Sequence, residues 1–186
     1  TEEIQTLTFM REEEKLAHEV YTLLADKWDL RVFERIAASE QVHMDAVMEL
    51  LDRYGVADPA STQAGVFTNA DLQALYNELI AKGQTSLKDA WLVGGAIEEV
   101  DILDLDDRLE LTDQQDIQVV FENLRKASYM HLNAFAANYQ AQTGTDYQPQ
   151  YMTAEEYNAS QVTRGNSAMG RGAGMRTGGM GRGRGR

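Results

Sequence analysis

Glu40 and His43 are the residues of this sequence with the clearest capacity for chemistry, because their types and their spacing both favour a metal site. Residues three apart on a helix are neighbours, so the carboxylate and the imidazole can reach the same point. Both interrupt an apolar helical face, where a carboxylate is costly unless it is paired or bound to a metal. That face recurs every three or four positions: Phe33, Ile36, Glu40, His43, Val47, Leu50 and Tyr54.

Three further stretches have the same helical period and are interrupted at a similar depth. The first carries Glu14, the second Glu98 and Asp101, and the third Ser128 and His131. If four such helices pack side by side, their mid-length groups meet in the interior. Carboxylate and imidazole ligands favour iron or manganese over thiophilic metals. The sequence therefore predicts a buried metal site with these ligands: Glu14, Glu40, His43, Glu98 and His131.

Four neighbouring residues receive secondary roles. Asp101 lies one turn beyond Glu98, and it fits either a ligand or a group that supports one. Ser128, His18 and Tyr21 are expected to support the ligands rather than to bind the metal themselves. They lie on or beside the same helical faces. The competing explanation is core packing for Tyr21, and a surface position or a place among the ligands for His18.

Residues off these faces are given no role in the site. Glu12, Glu13 and Lys15 predict solvated surface on the first helix. Glu99 lies off the apolar face of the third long helix and is therefore a weaker ligand candidate than its neighbour. The pair Gly94 and Gly95 fits either approach of a substrate to the metal or close packing of helices.

The fold that must position these residues is predicted to be all-α, because strand patterns are nearly absent. Helical periods cover residues 3–28, 31–54, 70–82, 87–109 and 113–141. The break at 29–30 is short, so the first two helices should be antiparallel. A long crossover containing the short helix 70–82 connects the second and third long helices. Helix ends are predicted at Gly55, Asn69, Thr112 and Gly144.

Composition divides the chain into an acidic domain, 1–158, and a basic Gly/Arg/Met tail, 159–186, that is expected to be disordered. Residues 1–163 hold all 30 acidic and 11 of the 17 basic residues, a net charge of −19. Such a body attracts cations and repels nucleic acid. No apolar run approaches the length of a membrane span. Tyr151 and Tyr157 are expected to pack an extended segment on the helices.

The motifs Glu14-x-x-Ala17-x-x-x-Tyr21 and Glu40-x-x-His43, with Glu98 and His131, resemble those of the rubrerythrin branch of the ferritin-like superfamily. Four longer strings are Met10–Ala17, Ser39–Met44, Ile97–Ile102 and Ser128–Leu132. Over residues 1–158 they resemble more closely the ferritin-like family called domain of unknown function 2202 (DUF2202). The resemblance implies a ferritin-like four-helix bundle. Rubrerythrins have Glu where this chain has Ser128, and a second carboxylate where it has Gly95. The implied site is therefore dinuclear, or asymmetric or mononuclear with Asp101 or water filling in.

The resemblance further implies an oxidoreductase of the peroxidase or ferroxidase type, which reacts with O2 or peroxide. Two iron ions are expected, with manganese or zinc as alternatives. Glu40 and Glu98 would bridge the ions, and the remaining ligands would be terminal. The chain has no cysteine and hence no rubredoxin centre, so an external electron donor would be required.

Other functions and partners stay open at this point. One alternative is a non-enzymatic protein that binds or stores metal. Another is a scaffold that binds an acidic partner or nucleic acid through its basic tail, since the body alone repels nucleic acid. A homodimer is compatible with either reading. The sequence begins with Thr1 and leaves the compartment unknown, because cytoplasmic and exported forms both fit.

Overall fold

The computed structural model describes residues 2–160, and this part of the chain is helical with no strand. Its longer helices are α1 (Glu2–Trp28), α2 (Arg31–Arg53), α3 (Ala70–Gly83), α4 (Leu87–Glu110) and α5 (Gln115–Thr143). The all-α prediction is confirmed for these residues, and every predicted helix end lies within two residues of the observed one. No helix between residues 2 and 160 combines the length and hydropathy that a membrane span requires.

The helix ends follow local chemistry at most of the predicted points. Gly55 adopts a left-handed backbone (φ 65°) and closes α2. The Asn69 side chain accepts hydrogen bonds from N–H groups in the first turn of α3. The prediction at Thr112 is wrong by two residues, because α5 begins at Gln115. The Thr112 hydroxyl accepts the N–H of Gln114 instead, which holds a turn before the helix.

The four long helices form antiparallel pairs. His18 contacts Ala37 while Glu14 contacts His43, so residue numbers rise along α2 as they fall along α1. Three further helix pairs are antiparallel by the same criterion. For α4 and α5 the contacts are Ser128–Asp101 and Arg125–Asp106. For α1 and α4 they are Tyr21–Glu98 and Phe9–Arg108, and for α2 and α5 they are Glu40–His131 and Arg53–Asp116. Consequently α2 and α4 are parallel, which explains why a long crossover containing α3 must connect them.

Two of the three apolar clusters of the described residues follow one another along the length of the four helices. One cluster is centred on the aromatic residues Tyr21, Phe33, Trp91 and Phe135. The other contains Leu7, Met10, Val47, Leu50, Leu51, Leu105, Ile117, Phe121 and Leu124. The positions between these two sets are the ones that carry polar residues on each helix. The fold therefore encloses a polar layer between two apolar ones.

Gly94 and Gly95 serve close packing. A Cβ atom on Gly94 would lie only 2.5 Å from the Phe135 ring, and one on Gly95 would collide with the Tyr147 hydroxyl. Neither neighbour could yield without displacing a buried ring. Of the two explanations left open by the sequence, packing is the one that the surroundings of both glycines support.

The prediction of a solvated surface at Glu12 and Lys15 is wrong, because the crossover covers this face of α1. Both side chains are buried. The Glu12 carboxylate accepts the N–H groups of Thr68 (2.6 Å) and Asn69 (2.9 Å) just before α3. The Lys15 ammonium donates to the carbonyl of Val66 (2.9 Å). These charged groups hold the loop down by satisfying backbone groups that packing would otherwise leave without partners.

The segment after α5 packs on α4, although not as expected. Residues 154–160 are helical rather than extended. Tyr147 and Met152 are buried and Tyr157 packs against them, whereas Tyr151 is 52% exposed. The apolar contact predicted for Tyr151 is therefore wrong, since its side chain faces solvent. The predicted tail lies outside the described residues from 161 onward.

Glu99 of α4 binds the segment after α5 through hydrogen bonds. Its carboxylate is fully buried and accepts four hydrogen bonds, from the Tyr147 hydroxyl and from the N–H groups of Gln150, Tyr151 and Met152. The lengths are 2.6 to 2.9 Å. Hydrogen bonds to a carboxylate are among the stronger ones in proteins. Glu99 therefore stabilises the packing of this segment on α4, a role that its position in the sequence did not reveal.

We expect Glu99→Gln to lower the free energy of unfolding by about 2–4 kcal/mol, because an amide cannot accept all of these bonds and its NH2 opposes N–H donors. Denaturant unfolding measures the loss, and limited proteolysis should show faster cleavage within 144–153. Glu110→Gln, an exposed change at the end of the same helix, is the control. Equal stability of the two variants would contradict the role of Glu99.

Candidate metal centre

The predicted ligands meet in the polar layer as two overlapping triads. Glu14, Glu40 and His43 form the first, and Glu40, Glu98 and His131 form the second. Within each triad, one ligand atom of every member lies within 4.8 Å of the others. All four long helices contribute, since α1 carries Glu14, α2 carries Glu40 and His43, α4 carries Glu98 and α5 carries His131. Glu40 belongs to both triads.

The two carboxylate oxygens of Glu40 face different histidines. Oε2 lies 2.6 Å from Nδ1 of His43, and Oε1 lies 2.8 Å from Nδ1 of His131. Nδ1 of His43 is also 3.2 Å from Glu14 Oε2, and Nδ1 of His131 is 3.5 Å from Glu98 Oε2. Each imidazole nitrogen is therefore shared by two carboxylates. The Glu40 carboxylate thus lies between two histidines, and each histidine is also close to a second carboxylate.

Several atoms of the triads are buried without a hydrogen-bond partner. They are Glu14 Oε1, Glu40 Oε1 and His131 Nδ1. The contact between His131 and Glu40 is short, but its angles do not make a hydrogen bond. All five residues are at most 8% exposed, so water cannot readily satisfy them. Orphaned carboxylate and imidazole atoms at this spacing fit the ligand set of a first-row divalent cation.

Protons balance the charges of this layer when no cation does. Burial raises the pKa of Glu14 to about 7, although His43 opposes the rise. Burial also acts on Glu40, but the two histidines outweigh it and lower its pKa to about 2. Burial would lower the pKa values of the histidines, yet the carboxylates raise them to about 11 for His43 and about 10 for His131. A metal ion must therefore displace protons from both imidazoles.

Asp101 and Ser128 lie beside the triads and belong to neither. Asp101 is 6% exposed, and its Oδ2 accepts the Ser128 hydroxyl at 2.5 Å while its Oδ1 has no partner. Burial, followed by the charges of Glu14 and Glu98, raises its pKa well above the usual range. Ser128 thus orients a carboxylate from α4 at the depth where α5 itself has none.

Tyr21 and His18 differ in what they contact. The Tyr21 hydroxyl donates to Glu98 Oε1 at 2.6 Å. The other oxygen, Oε2, lies toward His131 of the second triad, and the predicted bridging role of Glu98 stays a prediction. His18 is half-buried and its Nδ1 lies 2.8 Å from the Ala37 carbonyl, which links α1 to α2. Its predicted role as a support for the ligands stays a prediction.

Glu13 is buried, although the sequence predicted a surface position for it. The residue is 4% exposed, and neither carboxylate oxygen has a hydrogen-bond partner. Burial, and then the charges of Asp101 and Asp104, raise its pKa well above the usual range. The helical period of α1 gives no signal of this burial, because Glu13 lies toward Asp101 and Asp104 of α4 and not on the predicted apolar face.

Comparison with known proteins adds family membership but no activity. The family described as "Uncharacterized protein domain (DUF2202)" matches residues 3–163. The uncharacterised protein MJ0754 of Methanocaldococcus jannaschii is 48% identical over 160 residues, which are 84% of each chain. The crystal structure of hypothetical protein MJ0754 from Methanococcus jannaschii superposes with a TM-score of 0.83 at 45% identity, covering 87% of this chain and 93% of that one. Neither name assigns a reaction.

Proposed function

The chain belongs to the DUF2202 family, and we propose that it is a dinuclear metal protein that binds iron and uses it to react with dioxygen or peroxide. One observation carries the proposal: the oxygens of Glu40 face two different imidazoles, each of which is completed by a further carboxylate. A single cation would leave one of these buried triads without a counter-charge, so two ions suit the geometry better.

The charge of the layer supports two divalent ions. Four buried carboxylates lie within it, those of Glu14, Glu40, Glu98 and Asp101. They would balance the four positive charges of two such ions once the histidines are neutral. Ferritin-like di-iron proteins use one Glu from each of two helices and a Glu-x-x-His motif from each of the other two. Here α5 offers Ser128 in place of one Glu, and we propose that Asp101 supplies the missing charge.

The protein's own contribution to the reaction would be to fix the ligands and to keep the layer dry. Bound ferrous ions would supply the two electrons that, with two protons, reduce hydrogen peroxide to two water molecules. Tyr21 holds Glu98 and Ser128 holds Asp101, so both carboxylates are oriented before any ion arrives. The apolar clusters on either side exclude bulk solvent. Re-reduction requires an external donor, since the chain contains no cysteine for an iron–sulfur centre.

A protein that binds metal without turnover is the second candidate, favoured by the three ligands in each triad and by Ser128 in place of a carboxylate. Metal analysis and anaerobic ferrous titration measure the stoichiometry, and the proposal expects two ions per chain. Addition of peroxide to the ferrous protein then separates the candidates. Oxidation faster than that of free ferrous ion supports the enzyme, and an equal rate with two bound ions supports the binder. Failure to bind any ion contradicts both.

A further inference from the structure

A second group of acids lies between α1 and α4, next to the triads. Asp104 is at its outer end, with a side chain that is 30% exposed. Glu13 is 4% exposed and Asp101 is 6% exposed. The strongest charges acting on Glu13 are those of Asp101 and Asp104, and those acting on Asp101 are Glu14 and Glu98. The carboxylates thus form a graded series from solvent to the triads.

Hydrogen bonds do not explain the burial of the inner two members, because only one of their four oxygens, Oδ2 of Asp101, has a donor, the Ser128 hydroxyl. Both oxygens of Glu13 and Oδ1 of Asp101 are inaccessible and accept no hydrogen bond. By contrast, the buried acids outside the triads and this series, Glu12 and Glu99, accept backbone N–H groups with both carboxylates. A buried carboxylate without a donor costs free energy. Such a cost persists where a transient ligand uses the group, and for carboxylates alone that ligand is a hard cation.

Resting on the function proposed above, we propose that Asp104, Glu13 and Asp101 form a cation route, along which a divalent ion passes between α1 and α4 to reach the two triads. Asp104 meets the hydrated ion at the surface. Glu13 then replaces part of its water shell, and Asp101 passes it to Glu14 and Glu98. Arg108 stands near the outer end, with its guanidinium 4.0 Å from Asp104 and stacked on Phe9. An arriving cation would compete with it for Asp104.

The route predicts that its residues affect the rate at which metal ions bind but not the number of ions that the protein holds. Clefts lined by charge of one sign accelerate binding of the opposite charge by about 10–1000-fold, so we expect Glu13→Gln to slow loading about tenfold. Asp104→Asn, on a partly exposed side chain, should act in the same direction. Both variants should still bind as many ions as the wild type, because neither residue belongs to a triad.

Cobalt(II) is a suitable probe, since its visible absorption changes when ligands replace water and no redox turnover is needed. Stopped-flow mixing of cobalt(II) chloride with the apoprotein measures the rate, and the final absorbance measures capacity. Asp107→Asn, an exposed change of the same charge on α4, should load at the wild-type rate. Thermal unfolding of the apoprotein gives a further readout. A structural acceptor would be destabilised by Glu13→Gln, whereas a residue without donors should not be.

The outcomes separate this route from the function on which it rests. Slower loading at full capacity in Glu13→Gln or Asp104→Asn, with Asp107→Asn unchanged, supports the route. Wild-type rates in both variants, at full capacity, overturn the route and leave the metal centre intact. Reduced capacity at an unchanged rate also overturns it, because Glu13 would then be a ligand. A wild-type protein that binds no cobalt overturns both proposals together.

Discussion

Glu40→Gln is expected to lower the affinity for both metal ions by more than about 100-fold, since loss of even an outer-sphere partner costs about 10–100-fold. Glu40 is the one residue common to both triads, and each of its oxygens faces a different histidine. Glutamine keeps the shape of the side chain but has a single carbonyl oxygen and no charge. One substitution therefore removes a ligand from each of the two centres.

The pattern among variants is the sharper form of this test. Glu14→Gln and Glu98→Gln should each weaken one site, because each residue belongs to one triad. Glu49→Gln, on the exposed side of the same helix as Glu40, is the matched control and should bind two ions. Isothermal titration and metal analysis after desalting measure the stoichiometry. If Glu40→Gln retained one ion with unchanged affinity, the shared position of Glu40 would have no role in binding.

Metal loading is expected to raise the melting temperature by about 10–20 °C when each ion is at 100 times its dissociation constant. Each site then stabilises the folded chain by about 2.7 kcal/mol, and about 1 kcal/mol moves the midpoint of a domain of this size by about 2–4 °C. Differential scanning calorimetry with and without a chelator measures the rise in melting temperature.

At a fixed free metal concentration, the gain in melting temperature should increase with pH. The pKa values of His43 and His131 in the folded apoprotein are raised to about 11 and about 10. Between about pH 6.5, where unfolded histidine loses its proton, and those values, the folded apoprotein holds more protons than the unfolded chain. Its stability therefore falls as pH rises through this range. Metal binding strengthens over the same range, because fewer protons must be displaced.

Glu40→Gln again provides the control for the thermal measurement. This variant should show little increase in melting temperature with metal at any pH, because both centres have lost a ligand. A gain for the wild type that shrinks between pH 6.5 and 9 would contradict the exchange of protons for metal. An equal gain in wild type and variant would show that the ions bind elsewhere on this acidic chain.

The sequence alone was sufficient to predict the helices and the depth of the polar layer. A period of 3.6 residues requires only neighbours along the chain, and it placed Glu14, Glu40, His43, Glu98 and His131 on inward faces that the structure does bring together. The short connection at 29–30 likewise predicted that α1 and α2 are antiparallel. These inferences succeeded because they depend on local geometry and on the cost of burying unpaired charge.

The tertiary structure decided what covers the remaining faces of the helices and how the candidate ligands divide between the two triads. Glu12, Glu13 and Glu99 lie off the apolar faces, yet the crossover, α4 and the segment after α5 bury them. A helical period describes one buried face, and it contains no information on a loop that returns from far along the chain. Similarly, only the mutual positions of four helices show that Glu40 lies between two histidines and that Tyr21 donates a hydrogen bond to Glu98.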